Sequence, residues 1–297
     1  MPKNRAPRSA SRSLKARLDE LARDPARFER LDHDPVGMVH RFSNEHDREL
    51  VGALAALLAF GNVLTIRRKL EGLLTLLGPE PALRVRSLSE VALRRRIGPF
   101  RHRVWTEVHV ARVLHRVARL QKDHGSVGTR AGELRERASS FREALSTLGD
   151  ELRGPLETMP PSRRRGLRHL VPDPLRGSAC KRFLLYARWM VRPSDGVDFG
   201  LWPLSPAELV MPVDTHILRI SRNLGLSDRD DASWKTAEEI TARLRTFDAE
   251  DPVKYDFALC HMGISRACPS RRDKEKCRSC VLRPVCRHHA PSNTGSR

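Results

Sequence analysis

The sequence predicts an all-α protein. Apolar residues recur at helical spacing along most of its 297 residues, and Pro and Gly interrupt them at intervals. No long stretch alternates β-branched with polar residues, and aromatics make up only 5% of the chain. Strand signals are therefore scarce.

Residues 1–16, MPKNRAPRSASRSLKA, are basic, Ser-rich and without periodicity, which predicts a flexible arm. Ser43 to Asp47 offer capping groups ahead of Leu50–Leu58, a run apolar on nearly every side and so expected as a buried helix. Gly61 and Asn62 break it. Ile66–Leu77 restores a 3.6-residue pattern until Gly78 and Pro79 stop it. Ser87, with Glu90 three residues on, predicts a capping box opening a short helix that reaches Ile97. Thr106–Asp123 sets Val108, Ala111, Leu114 and Val117 on one side and Arg112, Arg116 and Arg119 on another. Ala131–Thr147 continues as helix. Pro155, Pro160, Pro161, Pro172 and Pro174 mark a connector. Cys180–Met190 is a further helix and Arg192–Pro206 a loop. Val213–Leu224, Ser233–Thr246 and Pro252–Met262 close the helical series. No internal repeat is evident. The expected organisation is a helical body over 17–262, a cysteine loop over 263–287 and a flexible tail over 288–297.

The longest apolar run, Leu50 to Phe60, is too short to span a bilayer and is followed by Arg67, Arg68 and Lys69. No basic amphipathic segment has an aromatic-rich apolar face, so a membrane partner is not expected. No charged-apolar-small segment opens the chain. The expectation is a soluble, cytoplasmic monomer. Lys and Arg outnumber Asp and Glu by 55 to 36, a net charge of +19. Such an excess favours a polyanionic partner. Arg94, Arg95, Arg96, Arg101 and Arg103, with the arginines of Thr106–Asp123, form a second expected basic surface.

Four of the six cysteines fall within 19 residues, as Cys268-x8-Cys277-x2-Cys280-x5-Cys286. That density points to metal ligation. Four soft thiolates suit a [4Fe-4S] cluster or a tetrahedral zinc. Cys260 lies in an apolar helical run and reads as core. Asp214 directly precedes an apolar-periodic helix, where its carboxylate can accept from the free N–H groups of the first turn. Lys181 opens another helix after Gly177-Ser-Ala-Cys.

Pro212-Val-Asp-Thr-His-Ile-Leu-Arg219 resembles the catalytic-aspartate segment of the helix-hairpin-helix DNA glycosylases, the endonuclease III superfamily. The cysteine loop is similar to that family's C-terminal iron-sulfur loop, with gaps of eight, two and five residues against its usual six, two and five. The chain is most like a bacterial family of this superfamily sharing KRF…RWMVR, PVDTH and DPVKYDFAL-like stretches. That closer resemblance names no substrate.

The superfamily resemblance implies a two-lobed helical fold with its cleft near 177–219, a [4Fe-4S] cluster (zinc being the alternative) on Cys268, Cys277, Cys280 and Cys286, and duplex DNA as partner in the nucleoid. It implies a DNA repair glycosylase that releases a damaged or mispaired base. Asp214 would stabilise the sugar cation or activate the nucleophile. Lys181 falls on the family's Schiff-base lysine, which adds abasic-site lyase activity. Arg182 and Arg188 are expected to favour its free amine. Gly177, Ser178, Arg182, Arg271, Arg272, Lys274 and Arg278 would contact phosphates. The family's hairpin carries two glycines in a Leu-Pro-Gly-Val-Gly type turn. Here only Gly177 remains and Ala179 replaces the second. An insertion at 193–202 offers Asp195, Asp198 and Trp202 as further contact candidates. The alternative is a non-catalytic, iron-sulfur- or zinc-stapled nucleic-acid-binding protein on the same scaffold.

Overall fold

The computed structural model describes residues 8–157, 159–271 and 273–289. Sixteen α-helices carry the described residues, and the only strands among them are a two-residue hairpin, β1 (Arg101–His102) with β2 (Trp105–Thr106). The class is all-α. No helix among the described residues is long and apolar enough to cross a membrane.

Helix α4 (Glu45–Leu57) is the central element. Asn44 caps it by accepting from the His46 and Asp47 N–H groups, and its face from Leu50 to Leu57 is buried throughout. Each fully buried Leu or Val contributes about 1.5–3 kcal/mol. Around it lie α3 (Pro35–Val39), α6 (Pro81–Arg86), α8 (Glu107–His124) and α12 (Lys181–Val191). Gly52 lets α12 approach, since a Cβ there would strike Met190 and Tyr186. The Tyr186 hydroxyl donates to the Glu49 carbonyl at 3.0 Å. Helices α5 (Val63–Leu77) and α7 (Glu90–Ile97) begin at the side-chain caps Asn62 and Ser89. The short α2 (Arg27–Leu31) joins α1 (Arg8–Arg23) to α3.

Several expectations are corrected. The helical body starts inside the stretch expected as an arm: α1 buries Leu14, Leu18 and Leu21, whose spacing of four and three residues the Ser/Arg-rich surroundings obscured. Residues 1–7 and 290–297 lie outside the described residues. Ser87 does not cap α7. Its hydroxyl donates backwards to the Arg84 carbonyl at the end of α6, and Ser89 is the cap, accepting from Ala92 N–H. The run expected over Ala131–Thr147 is two helices, α9 (Val127–Arg137) and α10 (Phe141–Arg153), divided where Ser140 caps the second. The connector contains α11 (Pro161–Leu170), started by a proline at its first position. Arg287, expected at the edge of a frayed tail, is held: its N–H donates to the Asn223 carbonyl at 2.7 Å and its guanidinium pairs with Asp228.

The arginines of α8 do not form a free basic face. Arg112 pairs with Glu90 and donates to the Pro155 carbonyl at 2.9 Å, while Arg116 donates to the Glu151 carbonyl at 2.6 Å. Both satisfy carbonyls at or just beyond the end of α10. The 193–202 insertion is equally structural. Asp198 is fully buried between Arg188 and Arg192. The Trp202 indole donates to Glu49 Oε1 at 3.1 Å and stands edge-on to Tyr186. Asp195 accepts from the Val197 and Asp198 N–H groups and pairs with Arg192.

Candidate active site

Helix α13 (Thr215–Leu224) begins at Asp214, whose Oδ1 accepts from the His216 and Ile217 N–H groups, both at 2.9 Å. The aspartate is thus a true N-cap. Its other oxygen is left for chemistry. Oδ2 stands 3.8 Å from Lys181 Nζ and 4.0 Å from the Cys260 thiol, which donates to it. Lys181 is the first residue of α12, and Cys260 sits on α15 (Asp256–Ile264). Three segments distant in sequence therefore meet at one carboxylate oxygen. Lys181 and Asp214 are each about a quarter exposed, at 24%.

They face a cleft of about 1040 Å³. Its walls include Asp34, the turn from Ala59 to Val63, His169, Ser178, His216 and His261. Phe60 lies in this wall with 45% of its surface exposed. Behind it the His169 imidazole stacks on Trp105 at 5.4 Å. Burial, followed by the charge of Arg182, pushes the His169 pKa down, so its ring is neutral at neutral pH.

The turn before α12 departs from a two-glycine hairpin. Gly177 takes the left-handed conformation, φ +83°. Ala179 does not; Cys180 does instead, at φ +47°, a strained choice for a residue with a Cβ. The Ser178 hydroxyl accepts from the Cys180 N–H at 3.3 Å and so rebuilds the turn. The Gly177 carbonyl and Ala179 N–H pair with Trp234 and Ala232 ahead of and within the start of α14 (Trp234–Arg245). Burial drives the Cys180 thiol up to about 12, so it is not an activated nucleophile.

Arg182 and Arg188 do not act as free cations beside the lysine. Arg182 is buried, with its guanidinium 4.4 Å above the Trp105 ring and bonded to the Leu57 and His169 carbonyls. Burial lowers its pKa to about 10. Helix geometry turned its side chain into the core, so it is not a phosphate contact. Arg188 is clamped between Asp256 at 2.6 Å and Asp198 at 3.1 Å. Asp256 lines the cleft floor, and burial raises its carboxyl to about 6 although Arg188 opposes this. Farther along α15 the His261 ring meets Asp34 Oδ2 at 3.0 Å. Burial pushes Asp34 up, but the bonds from His261 and the Val36 N–H outweigh it and leave the carboxyl below its ordinary value.

Sequence reasoning missed Cys260, Asp256, His261 and Phe60 as cleft residues. The α15 run is apolar on all sides, so periodicity could not say which face opens to the cleft.

The four cysteines of the C-terminal loop are free thiols, as are Cys180 and Cys260. Their backbone is framed: the Cys268 N–H donates to the Met262 carbonyl at the end of α15, and its carbonyl accepts from Arg219 of α13 at 2.6 Å. Cys277 lies on the short α16 (Lys274–Arg278). Burial raises the thiol pKa values of Cys280 and Cys286, and the other cysteines of the set add to the rise. No three His, Cys, Asp or Glu side chains among the described residues stand close enough to hold a single metal ion. The cysteines are soft donors of the type that iron-sulfur clusters and zinc take, on a loop tied to α13 and α15. Arg271, Lys274 and Arg278 are exposed around it, while Arg272 lies outside the described residues.

Residues 34–265 match the family model of a protein of unknown function, DUF2400, and the chain belongs to that family. The match ends before Cys268. No curated protein and no solved structure matches the chain.

Proposed function

We propose that this DUF2400 protein is a DNA glycosylase of the helix-hairpin-helix type, with a two-lobed helical body and a substrate base turned into the cleft between Asp214 and Phe60. The observation that carries the reading is the convergence of Lys181 Nζ and Asp214 Oδ2 at 3.8 Å in that cleft. A VDTH segment and a lysine at a helix start are weak signs separately. Their meeting in one cleft supports the reading that the resemblance implies.

The chemistry follows from the two groups. Asp214 is locked at one oxygen by two N–H groups, so its second oxygen is held without freedom to turn away. A fixed carboxylate beside C1′ stabilises the positive charge that builds on the sugar as the bond to the base breaks. It can equally accept the ammonium proton of Lys181. The free amine then adds to C1′, and the base departs with the electrons of the C–N bond and takes up a proton. Without the lysine attack, water adds at C1′ and gives the same base and an abasic sugar. The exposed Phe60 ring offers a face on which an extruded base can stack.

Cys268, Cys277, Cys280 and Cys286 would hold a [4Fe-4S] cluster, zinc being the alternative, and its bonds would supply a covalent cross-link of the loop. Exposed Arg271, Lys274 and Arg278 would then be presented as a fixed group of phosphate contacts, at a smaller ordering cost than on a free loop. Protein purified without oxygen is expected to show broad visible absorbance and about four irons per chain. Zinc with no colour would leave a zinc-stapled nucleic-acid-binding protein.

The lysine assignment is tested with a duplex carrying an abasic site. The abasic aldehyde and the Lys181 amine condense to an imine with loss of water, and borohydride reduces that imine to a stable amine cross-link. The parent protein is expected to be trapped and Lys181→Ala not. A cross-link that persists in Lys181→Ala removes the lysine from the reaction.

A non-catalytic DNA-binding protein is the second reading. The bonding of the Ala179 N–H to the Ala232 carbonyl and of the Gly177 N–H to the Pro174 carbonyl favours it, because those donors are no longer available to a phosphate. It predicts salt-dependent DNA binding with no base released from any lesion.

A further inference from the structure

A second depression of about 530 Å³ runs along the outer face of α13, and nothing in the catalytic reading uses it. Thr215, Leu218, Arg219 and Arg222 form one wall, at the spacing of a single helical face. The opposite wall comes from the cysteine loop and the segment after it, through Ser270 and Arg287. Thr215 also lines the catalytic cleft, so the groove starts one residue from Asp214.

The groove carries unspent positive charge. The exposed Arg222 side chain has no hydrogen-bond or ionic partner among the described residues. Arg219 donates one N–H to a neutral acceptor, the Cys268 carbonyl, and its Nε is buried without a partner. The groove's carboxylate, Asp228, is already paired with Arg287. Two uncompensated guanidinium groups therefore stand three residues apart on one helix face, about 5–6 Å between their Cβ atoms. Apart from His288, no ring that could stack a base lines this groove. Its uncompensated guanidinium groups suit a phosphate.

We propose that this groove is a phosphate subsite for the DNA strand whose reacting sugar lies at Asp214. The proposal rests on the glycosylase reading for which nucleic acid enters it. The backbone leaving the cleft past Thr215 meets Arg219 and Arg222 in succession. Arg219 would also tie this contact to the cysteine loop, since it holds the Cys268 carbonyl.

The test measures binding of the full-length protein to a duplex with a neutral tetrahydrofuran abasic site, across a range of salt. Arg222→Ala is expected to weaken binding and to lower the slope of log K against log salt by about 0.9, the value of one lost phosphate contact. Arg222→Glu should weaken it further, and Arg222→Lys should restore most of the affinity, because an ammonium serves a phosphate as a point charge. Arg137→Ala, at an exposed arginine that ends α9, controls for bulk charge and should leave the slope nearer that of the parent. Unchanged affinity and slope in Arg222→Ala and Arg222→Glu would overturn the proposal. So would a larger Arg222 effect on structured RNA of equal charge than on the duplex. Arg222-dependent DNA binding with no base release from any lesion keeps the groove and removes the glycosylase reading. Base release with Arg222-independent binding does the reverse.

Discussion

Asp214→Asn is expected to lower base release by about 100- to 1000-fold, the range seen when one preorganised electrostatic group is removed from a transition state. The substitution separates chemistry from folding. Asn is as good an N-cap as Asp, so Oδ1 of the amide still accepts from the His216 and Ile217 N–H groups. What disappears is the negative charge at the position of Oδ2, beside Lys181 and Cys260. Thermal unfolding of the variant should stay within about 1 kcal/mol of the parent. Asp214→Ala would lose the cap as well and confuse the two effects. A lesion-releasing protein whose rate is unaffected by Asp214→Asn has its active site elsewhere.

The largest stability effect is expected at Arg188. Its guanidinium is buried and neutralises two carboxylates, Asp198 and Asp256, beneath the cleft floor. Arg188→Met fills similar space but leaves the buried Asp256 uncompensated and Asp198 with Arg192 alone, at a cost of about 3–5 kcal/mol. Lysine is a poor replacement, because one ammonium cannot reproduce a fork that reaches two carboxylates. The deficit should depend on pH with a definite sign. Asp256 titrates at about 6 in the folded protein, above its ordinary 3.8, so between these values the native state holds a proton that the unfolded chain has released. Acidification through that window stabilises the fold, and the unfavourable contribution is complete above about pH 6. Removing Arg188 takes away the charge that opposes this rise. The gap between Arg188→Met and parent should therefore narrow as pH falls from 7 toward 5, as followed by denaturant unfolding at each pH. A gap that stays constant or widens on acidification would show that the cost is packing and not charge.

The features legible in the sequence are those fixed by neighbours in the chain. Asp214 was readable as a cap because the helix it starts is periodic, and the buried α4 because Leu50–Leu58 has no polar side. The stop of α5 at Gly78 followed from local chemistry too. What escaped depends on partners far along the chain. Asp198 looks like a surface acid in a polar loop until Arg188 and Arg192 enclose it. Arg182 looks like a phosphate contact until the Trp105 ring and the Leu57 carbonyl receive it. Cys260 reads as core because nothing local reveals that its thiol points to Asp214. Ser87 has a Glu three residues on and Ser89 does not, yet Ser89 is the cap of α7. The pairing of Lys181 with Asp214 followed from the family resemblance and not from spacing, and the folded chain brings the two within 3.8 Å.

The central claim is that the cleft stabilises a cationic sugar, and it can be tested without knowing the lesion. Two duplexes are compared by equilibrium binding. One carries a neutral tetrahydrofuran abasic site, the other a pyrrolidine analogue whose protonated nitrogen imitates the sugar cation. A site complementary to the transition state binds such an analogue about 100-fold more tightly or better. The account predicts that preference for the parent protein and its loss in Asp214→Asn. Equal affinity of the parent for both duplexes would contradict it.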